Sequence, residues 1–372
     1  MANTAILRDV AQAVLRLFPW PTEPGLRTVG TPGPESPVII TGNYDLTVRR
    51  VLAALRGLDA WVVVASSRGI NVWCAAAGGM LSTAQVITAL KTSGIEQRVS
   101  QRRALLPQLA ATGVEAREVA RRSGWKLRFG PVYAEDLPRY LAAGSRKDDS
   151  MRRVRFATRE RLEMACAWAG PASILLALVA AFFRPAWAIP LVVQSWAIAI
   201  MVFMVYDRLP GGEMITRRRW LLTWPLAAGL SALVAALFSG GTAAVAAAVV
   251  SATALLALLT FDFDGSTPIE GGSHFDSRDW AITLDTDLCK GVYSCWEVCP
   301  EACFEKLEDT RKVEISQHQR CVKCGACVVQ CPQDALFFTD QEGRRIDPAV
   351  IRRFKLNLIG SRGVDTGSDP GV

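Results

Sequence analysis

Three long stretches without a charged side chain decide what this chain can fold into: Met164–Phe183, Pro185–Tyr206 and Trp220–Phe261. About 20 apolar residues are enough for a helix to cross a bilayer. The third stretch is twice that length and carries Ser239-Gly240-Gly241-Thr242 at its middle, where a turn falls. The pattern predicts four spans, at about 164–183, 185–206, 219–239 and 242–261, arranged as two hairpins. Buried helices of a soluble domain rarely come four in a row at this length, so the sequence reads as an integral membrane protein.

The net charge of +7 looks at first like a nucleic-acid signal. The basic residues, however, flank the apolar stretches. Arg146, Lys147, Arg152, Arg153, Arg155, Arg159 and Arg161 precede the first, and Arg208, Arg217, Arg218 and Arg219 lie between the second and third. The first hairpin loop has only Arg184, and the second has no basic residue. Positive residues stay inside, which puts both termini and the middle loop in the cytoplasm and leaves no need for a nucleic-acid partner. The opening "MANTAILRDVAQAVLRLF" has Asp9 and helical spacing (Ile6, Val10, Val14, Leu17) but no apolar signal core, and reads as a helix of a soluble domain.

Before the spans, residues 1–146 alternate apolar runs with helical patterns. "SPVIITG" (36–42) and "AWVVVAS" (60–66) read as buried strands, and "STAQVITALKTSG" (82–94) as a helix capped by Ser82 and closed by Gly94. "VEAREVARRSG" and "AEDLPRYLAAG" read as further helices with "KLRFGP" as a strand between them, and Pro19–Pro37 as an irregular segment. Short strands alternating with helices predict a Rossmann-like α/β domain with a mostly parallel sheet. A basic linker (147–163) leads into the membrane domain (164–262). A polar linker (263–279), a cysteine-rich module (280–340) and a C-terminal helix and tail (341–372) follow.

Eight of the ten cysteines fall between Cys289 and Cys331, with Cys74 and Cys166 apart. Tight spacing on the cytoplasmic side argues for metal ligands against disulfides. "CVKCGACVVQCP" (321–332) has the spacing Cys-x2-Cys-x2-Cys-x3-Cys-Pro, in which three thiolates hold one iron–sulfur cluster and the fourth reaches another. A zinc site fits four such close cysteines ending in Cys-Pro poorly. In "CKGVYSCWEVCPEAC" (289–303), Cys289, Cys295 and Cys299 hold the first, third and fourth positions, but Val292 stands at the second and cannot bind iron. Cys299 is therefore expected to join Cys321, Cys324 and Cys327 on a four-iron cluster. The remaining Cys289, Cys295 and Cys331 either hold a three-iron cluster or recruit Cys303 as a fourth ligand. The segment resembles seven-iron bacterial ferredoxins, an α+β fold with two clusters, whose extra cysteine lies near a cluster without binding it. Such a module moves single electrons.

In "INVWCAAAGG" (70–79), Asn71 is a good N-cap, so Cys74 falls in the first turn of a short helix that Gly78-Gly79 ends. Helix starts favour thiolate, and Ala75-Ala76-Ala77 is expected to offer a flat face for a large planar ligand. From the residues alone, a buried structural cysteine is the competing reading.

"NVWCAA" is similar to the cap-helix motif of the HgcA family, the corrinoid proteins of mercury methylation, which are related to the corrinoid subunits of acetyl-CoA synthesis. The similarity continues through residues 102–144 and "MRRVRF" (151–156) into a membrane domain, and residues 280–340 resemble the separate HgcB-type ferredoxin partner. The resemblance implies a fused corrinoid methyltransferase and ferredoxin. It makes Cys74 the lower axial ligand of cobalt, with Asn71, Val72, Trp73, Ala75, Ala76, Ala77 and Gly78 around the corrin. It implies transfer of a methyl group to Hg(II), a folate-type methyl donor and an external low-potential reductant. Two departures stand out. Ala77-Gly78-Gly79 replaces the family's Gly-Lys, and no cysteine follows Cys331, where HgcB-type ferredoxins carry a pair. A paralogue methylating another acceptor, or a membrane iron–sulfur electron carrier, are the alternative readings.

Overall fold

The computed structural model describes residues 18–155, 157–205, 215–238, 241–266 and 280–354, with scattered positions between 8 and 15. The chain forms two compact units. One joins residues 19–154 to 275–372, and the other joins 1–18 to 155–274.

In the first unit, strands β1 (Gly25–Val29), β2 (Val38–Gly42), β3 (Ala60–Ala65), β4 (Arg103–Leu106) and β5 (Lys126–Phe129) form one sheet in the order β1-β3-β2-β4-β5. Neighbours from β3 to β5 are parallel, and β1 adds an antiparallel edge. Alternation along the strands accounts for two cores. Val38, Ile40, Trp61, Val63 and Ala65 point into one, while Ile39, Ala60, Val62 and Val64 point into the other. Helices α1 (Asp45–Ala54), α2 (Val72–Ala77), α3 (Thr83–Thr92), α4 (Ala116–Ser123), α5 (Leu137–Ala142) and α6 (Asp149–Arg152) complete the domain.

The parallel α/β expectation therefore matches the observed sheet, with local differences. β1 lies inside the segment read as irregular, because its half-buried pattern lacks the apolar run that marks β2 and β3. Ser82 sits at the start of α3, but its hydroxyl pairs with Gln85 instead of capping the backbone. Pro138 is accommodated in the first turn of α5, after a short 3-10 turn at Ala134–Asp136.

The ferredoxin part of the same unit has a three-stranded antiparallel sheet of β6 (Ala281–Leu284), β9 (Leu336–Thr339) and β10 (Arg345–Ile346), and the hairpin β7 (Phe304–Lys306) and β8 (Val313–Ile315). Helices α11 (Ser294–Val298) and α12 (Ala326–Gln330) lie within the two cysteine runs, and α13 (Pro348–Phe354) packs on α12.

The second unit contains α7 (Thr158–Phe183), α8 (Ala188–Val205), α9 (Ile215–Phe238) and α10 (Thr242–Ser266). Thr158–Phe183 and Pro185–Val205 are long and apolar enough to cross a membrane, and Thr223–Phe238 and Thr242–Leu256 are shorter apolar helices. Large apolar side chains face outward, among them Leu175, Leu178, Phe182, Phe183 and Ile189. Polar groups between the helices are matched to one another. Gln194 Nε2 donates to the Ala248 carbonyl at 2.8 Å and Ser251 Oγ at 2.9 Å, and the Trp224 indole donates to Thr253 Oγ1 at 2.9 Å. The described residues between 8 and 18 group with these helices and not with the α/β domain to which the sequence pattern assigns them. Gly170 of α7 leaves room for this segment: a Cβ there would lie 2.4 Å from Val14 Cγ1. The middle loop with Arg208, the side chains of Arg217 to Arg219, most of linker 263–279 and the tail beyond 354 lie outside the described residues.

Candidate functional site

The chain runs from β2 to β3 on one side and then places β4 on the other side of β2. That reversal makes a crevice at the carboxyl ends of β2 and β4, where open α/β sheets bind ligands. Three segments meet at this edge. The loop after β2 begins at Asn43, α2 follows β3, and the Gln108–Thr112 turn follows β4.

Asn71 caps α2 as its residue type predicts: its Oδ1 accepts from Cys74 N at 3.0 Å. The helix ends on Gly79, whose φ of +76° suits glycine, and Met80 N donates back to Ala75 O at 2.7 Å. Cys74 is exposed and Trp73 is half-buried. The expected alanine face is not there. Ala75 and Ala76 are fully buried, with Val72, against the sheet. Helical periodicity is the reason: residues 72, 75 and 76 share one face, while 74, 77 and 78 share the opposite one. The open surface is therefore Cys74 with Ala77 and Gly78, none of which carries a bulky side chain. An exposed thiol beside small residues fits a corrinoid held by Cys74, with the Met80 side chain alongside, its Cε 2.7 Å from where a Cβ on Gly78 would lie. On the inward face, Gly113 closes against α2, since a Cβ would lie 2.6 Å from Ala76 O and 2.4 Å from Leu81 O.

The ferredoxin cysteines separate into two groups. Cys299, Cys303, Cys321, Cys324 and Cys327 line one recess. Cys289, Cys295 and Cys331 line another, together with Val292. The thiols surround spaces and do not converge on a point: among the described residues, no group of three or more His, Cys, Asp or Glu side chains is placed to hold a single metal ion. Burial pushes the Cys295 thiol up to about 12 and raises Cys324 and Cys327 as well. The hydrogen bond from Cys303 instead lowers Cys299, to about 7, and Cys321; the three raised thiols stay neutral unless positive charge meets them, and iron would supply it. The donor set thus fits iron–sulfur clusters. Cys303 lines the first recess, with its N–H 3.3 Å from Cys299 Sγ, and does not line the second. It is therefore not placed to complete the set of Cys289, Cys295 and Cys331. Cys166 lies on α7.

The ferredoxin is seated on the edge of the sheet that carries α2. Val298 and Ala326 join the apolar core that contains Val72 and Ala75, and Cys324 packs against it. Gln330 Nε2 donates to the carbonyls of Ala111 at 2.8 Å and Val114 at 2.7 Å, and its Oε1 accepts from Ala116 N at 3.3 Å. On the other side, Arg152 donates to Trp296 O at 2.7 Å with its guanidinium 3.6 Å from the indole centroid. Lys306 stacks on the same indole at 3.6 Å. Sequence reasoning missed these seam residues, because a glutamine inside a cysteine run and a basic linker each carry a sufficient local explanation.

Residues 17–141 match the family model of CdhD, the CO dehydrogenase/acetyl-CoA synthase delta subunit. Residues 318–337 match that of the 4Fe-4S binding domain. Subunit gamma of the acetyl-CoA decarbonylase/synthase complex from Archaeoglobus fulgidus is 36% identical over 116 residues, 31% of this chain and 24% of that protein. The same subunit from Methanothermobacter thermautotrophicus is 34% identical over 125 residues, 33% of this chain and 27% of that protein. The subunit from Methanopyrus kandleri is 32% identical over 125 residues, with the same shares, 33% and 27%. The chain spans about a quarter of the length of these curated relatives. The α/β domain is thus CdhD-like, and it is fused to a 4Fe-4S ferredoxin domain. These descriptions name acetyl-CoA synthase complexes and not mercury.

The seam contains one group with an informative titration. Lys147 Nζ donates to Gln108 Oε1 at 2.9 Å and Glu297 O at 2.5 Å. Burial pushes its ammonium down to about 7, against the attraction of Glu297 and with the repulsion of Arg152. An unfolded lysine keeps its proton to about pH 10.4. The unfolded state then binds more protons from pH 7 upward, so this group's penalty shrinks and stability rises with pH until about 10. Between pH 8 and 10 the urea midpoint of the ferredoxin-bearing unit should rise, and Lys147→Met should remove most of that rise. An equal rise in the variant would show that Lys147 stays charged in the seam.

Proposed function

We propose that this chain is a membrane-anchored corrinoid methyltransferase that transfers a cobalt-bound methyl group to inorganic Hg(II), with its fused ferredoxin supplying electrons to the corrinoid. The observation that carries this reading is the exposed, Asn71-capped Cys74 at a ligand-binding sheet edge on which the cluster-bearing part is also seated. When bound, the corrinoid supplies a cobalt centre able to carry methyl and to be reduced to a nucleophilic state. Cys74 would offer it a soft thiolate donor, with the small residues Ala77 and Gly78 on the same helix face, and the cysteines of the ferredoxin would hold the electron-carrying clusters. The CdhD-like match of residues 17–141 supports the corrinoid part. The long apolar helices and their outward Leu and Phe side chains support the membrane part, with both soluble parts on the cytoplasmic face by the distribution of arginines. The methyl donor, of folate type, and the external low-potential reductant are separate partners in this reading.

A second acceptor is favoured by one observation. Cys303 is 1% exposed, so it is not placed to collect Hg(II) from solution. In this reading mercury is delivered on small-molecule thiolates. Membranes carrying the chain, given a methyl donor, a strong reductant and thiol-bound Hg(II), should form methylmercury at a low rate that depends on Cys74. If cobalamin-loaded protein forms none yet passes methyl readily to another soft acceptor such as a thiol, the mercury assignment falls and the corrinoid one stands.

A further inference from the structure

We infer that Asn43, in the loop after β2, is a positioning residue for Cys74, an inference that rests on the corrinoid reading above for its chemical meaning. The loop from Ser66 to Asn71 launches α2, and its conformation is unusual. Arg68 and Gly69 both have positive φ, +55° and +72°. Gly69 is pressed so closely on the chain at Pro21 that a Cβ would lie 2.5 Å from Pro21 N. The loop closes a turn of its own, with Ile70 N donating to Ser67 O at 3.1 Å, but a non-glycine residue at positive φ such as Arg68 is strained and needs further support. A group outside the loop must supply it.

Asn43 does so. Its side chain is 4% exposed. Its Oδ1 accepts from Ser67 N at 2.8 Å and from Gly69 N at 2.9 Å, on either side of Arg68. The Ser67 hydroxyl, with one proton to give, lies 2.8 Å from Ile70 O and 3.1 Å from the same Oδ1. The Asn43 amide nitrogen donates to Thr22 O at 2.9 Å, which fixes the carboxamide's orientation. Backbone bonds close the arrangement: Trp20 N donates to Gly69 O at 2.8 Å and Thr22 N to Asn43 O at 2.9 Å. Gly42 keeps the space clear, since a Cβ there would meet Ser67 Oγ at 2.8 Å. One buried carboxamide thereby ties the switch-point strand to the loop whose last residue, Asn71, caps the helix of Cys74. The position of the exposed thiol is set from beneath by a residue that touches neither the thiol nor any ligand.

The test separates positioning from general stability. Asn43→Asp keeps the acceptor for the loop N–H groups but loses the bond to Thr22 and buries a charge, so it lowers thermal stability while preserving the loop. Asn43→Ala loses both. Full-length protein, purified anaerobically in detergent and without corrinoid, is digested with trypsin under native conditions, and cleavage after the exposed Arg68 is followed by mass spectrometry. Asn43→Ala should be cut there about tenfold faster or more, the factor that one net hydrogen bond to the loop represents. Asn43→Asp should be cut at close to the wild-type rate. The same proteins loaded with cobalamin should show the visible signature of thiolate-ligated cobalt in wild type and Asn43→Asp, and lose most of it in Asn43→Ala. If Asn43→Ala does not fold, Ser67→Ala, which removes a single side-chain link, should give a several-fold increase in the same cleavage.

Unchanged cleavage at Arg68 in Asn43→Ala, or in Ser67→Ala where that substitutes for it, overturns the inference. So does an unchanged cobalt signature in a loop-opened variant, or a signature that follows melting temperature across the variants. A wild-type protein with no thiolate signature at all removes the corrinoid reading instead. The cleavage ratio then still decides whether Asn43 fixes the loop that carries Cys74.

Discussion

Cys74→Ala should abolish the visible signature of thiolate-ligated cobalt in cobalamin-loaded protein and, with it, all methyl transfer, while leaving iron content, cluster absorbance and membrane insertion unchanged. The separation is expected because Cys74 is exposed on the outer face of α2, whereas the residues that build the local core are Val72, Ala75 and Ala76 on the inner face. Removing an exposed sulfur creates no cavity, so the cost in stability should stay within about 0.5 kcal/mol. The eight ferredoxin cysteines line recesses of their own and lose nothing. Ala75→Leu makes the opposite case. It overpacks the core beneath α2 and should lower stability by about 1–3 kcal/mol. An unaltered cobalamin spectrum in Cys74→Ala would return the residue to a structural role and leave the α/β domain without an assigned ligand.

The parts of this site that were legible in the sequence are those whose signal is local. Asn71 as a cap, Gly79 as a stop, and the continuous apolar runs of β2 and β3 each depend on a few neighbouring residues, and all three are found as expected. The alanine face failed on a local rule wrongly applied. Three consecutive alanines cannot share a helix face, and two of them are buried. β1 was missed because an edge strand with one half-covered face has no strong alternation. What the sequence could not reveal is long-range. Asn43 meets Gly69 across 26 positions, and Gln330 meets Ala111 across 219. A buried asparagine after a strand looks like any turn residue until the loop it holds is in view. The split of the cysteines is an intermediate case: spacing alone anticipated the grouping of Cys299 with Cys321, Cys324 and Cys327, but not the side on which Cys303 lies.

Val292→Cys should convert the second cluster site. In the wild-type chain that site offers three thiols, Cys289, Cys295 and Cys331, and an exposed valine at the remaining corner. Three cysteines suit a three-iron cluster, so anaerobically purified, oxidised protein should give a three-iron EPR signal of about one spin per chain. A cysteine at 292 restores the spacing Cys-x2-Cys-x2-Cys-x3-Cys and should abolish that signal, with iron content rising from seven toward eight per chain. Cys303→Ser provides the contrast. Cys303 lies beside Cys299 and lines the other recess, so its loss should leave the three-iron signal in place. The site lined by Cys299, Cys321, Cys324 and Cys327 should keep its four-iron cluster in both variants. A three-iron signal that appears only after Cys303→Ser would mean that Cys303 had been completing the second site, and that the arrangement of thiols changes when iron binds. Absence of the signal from the wild type, with Cys303→Ser likewise silent, would instead point to a ligand other than cysteine at the corner that Val292 leaves open.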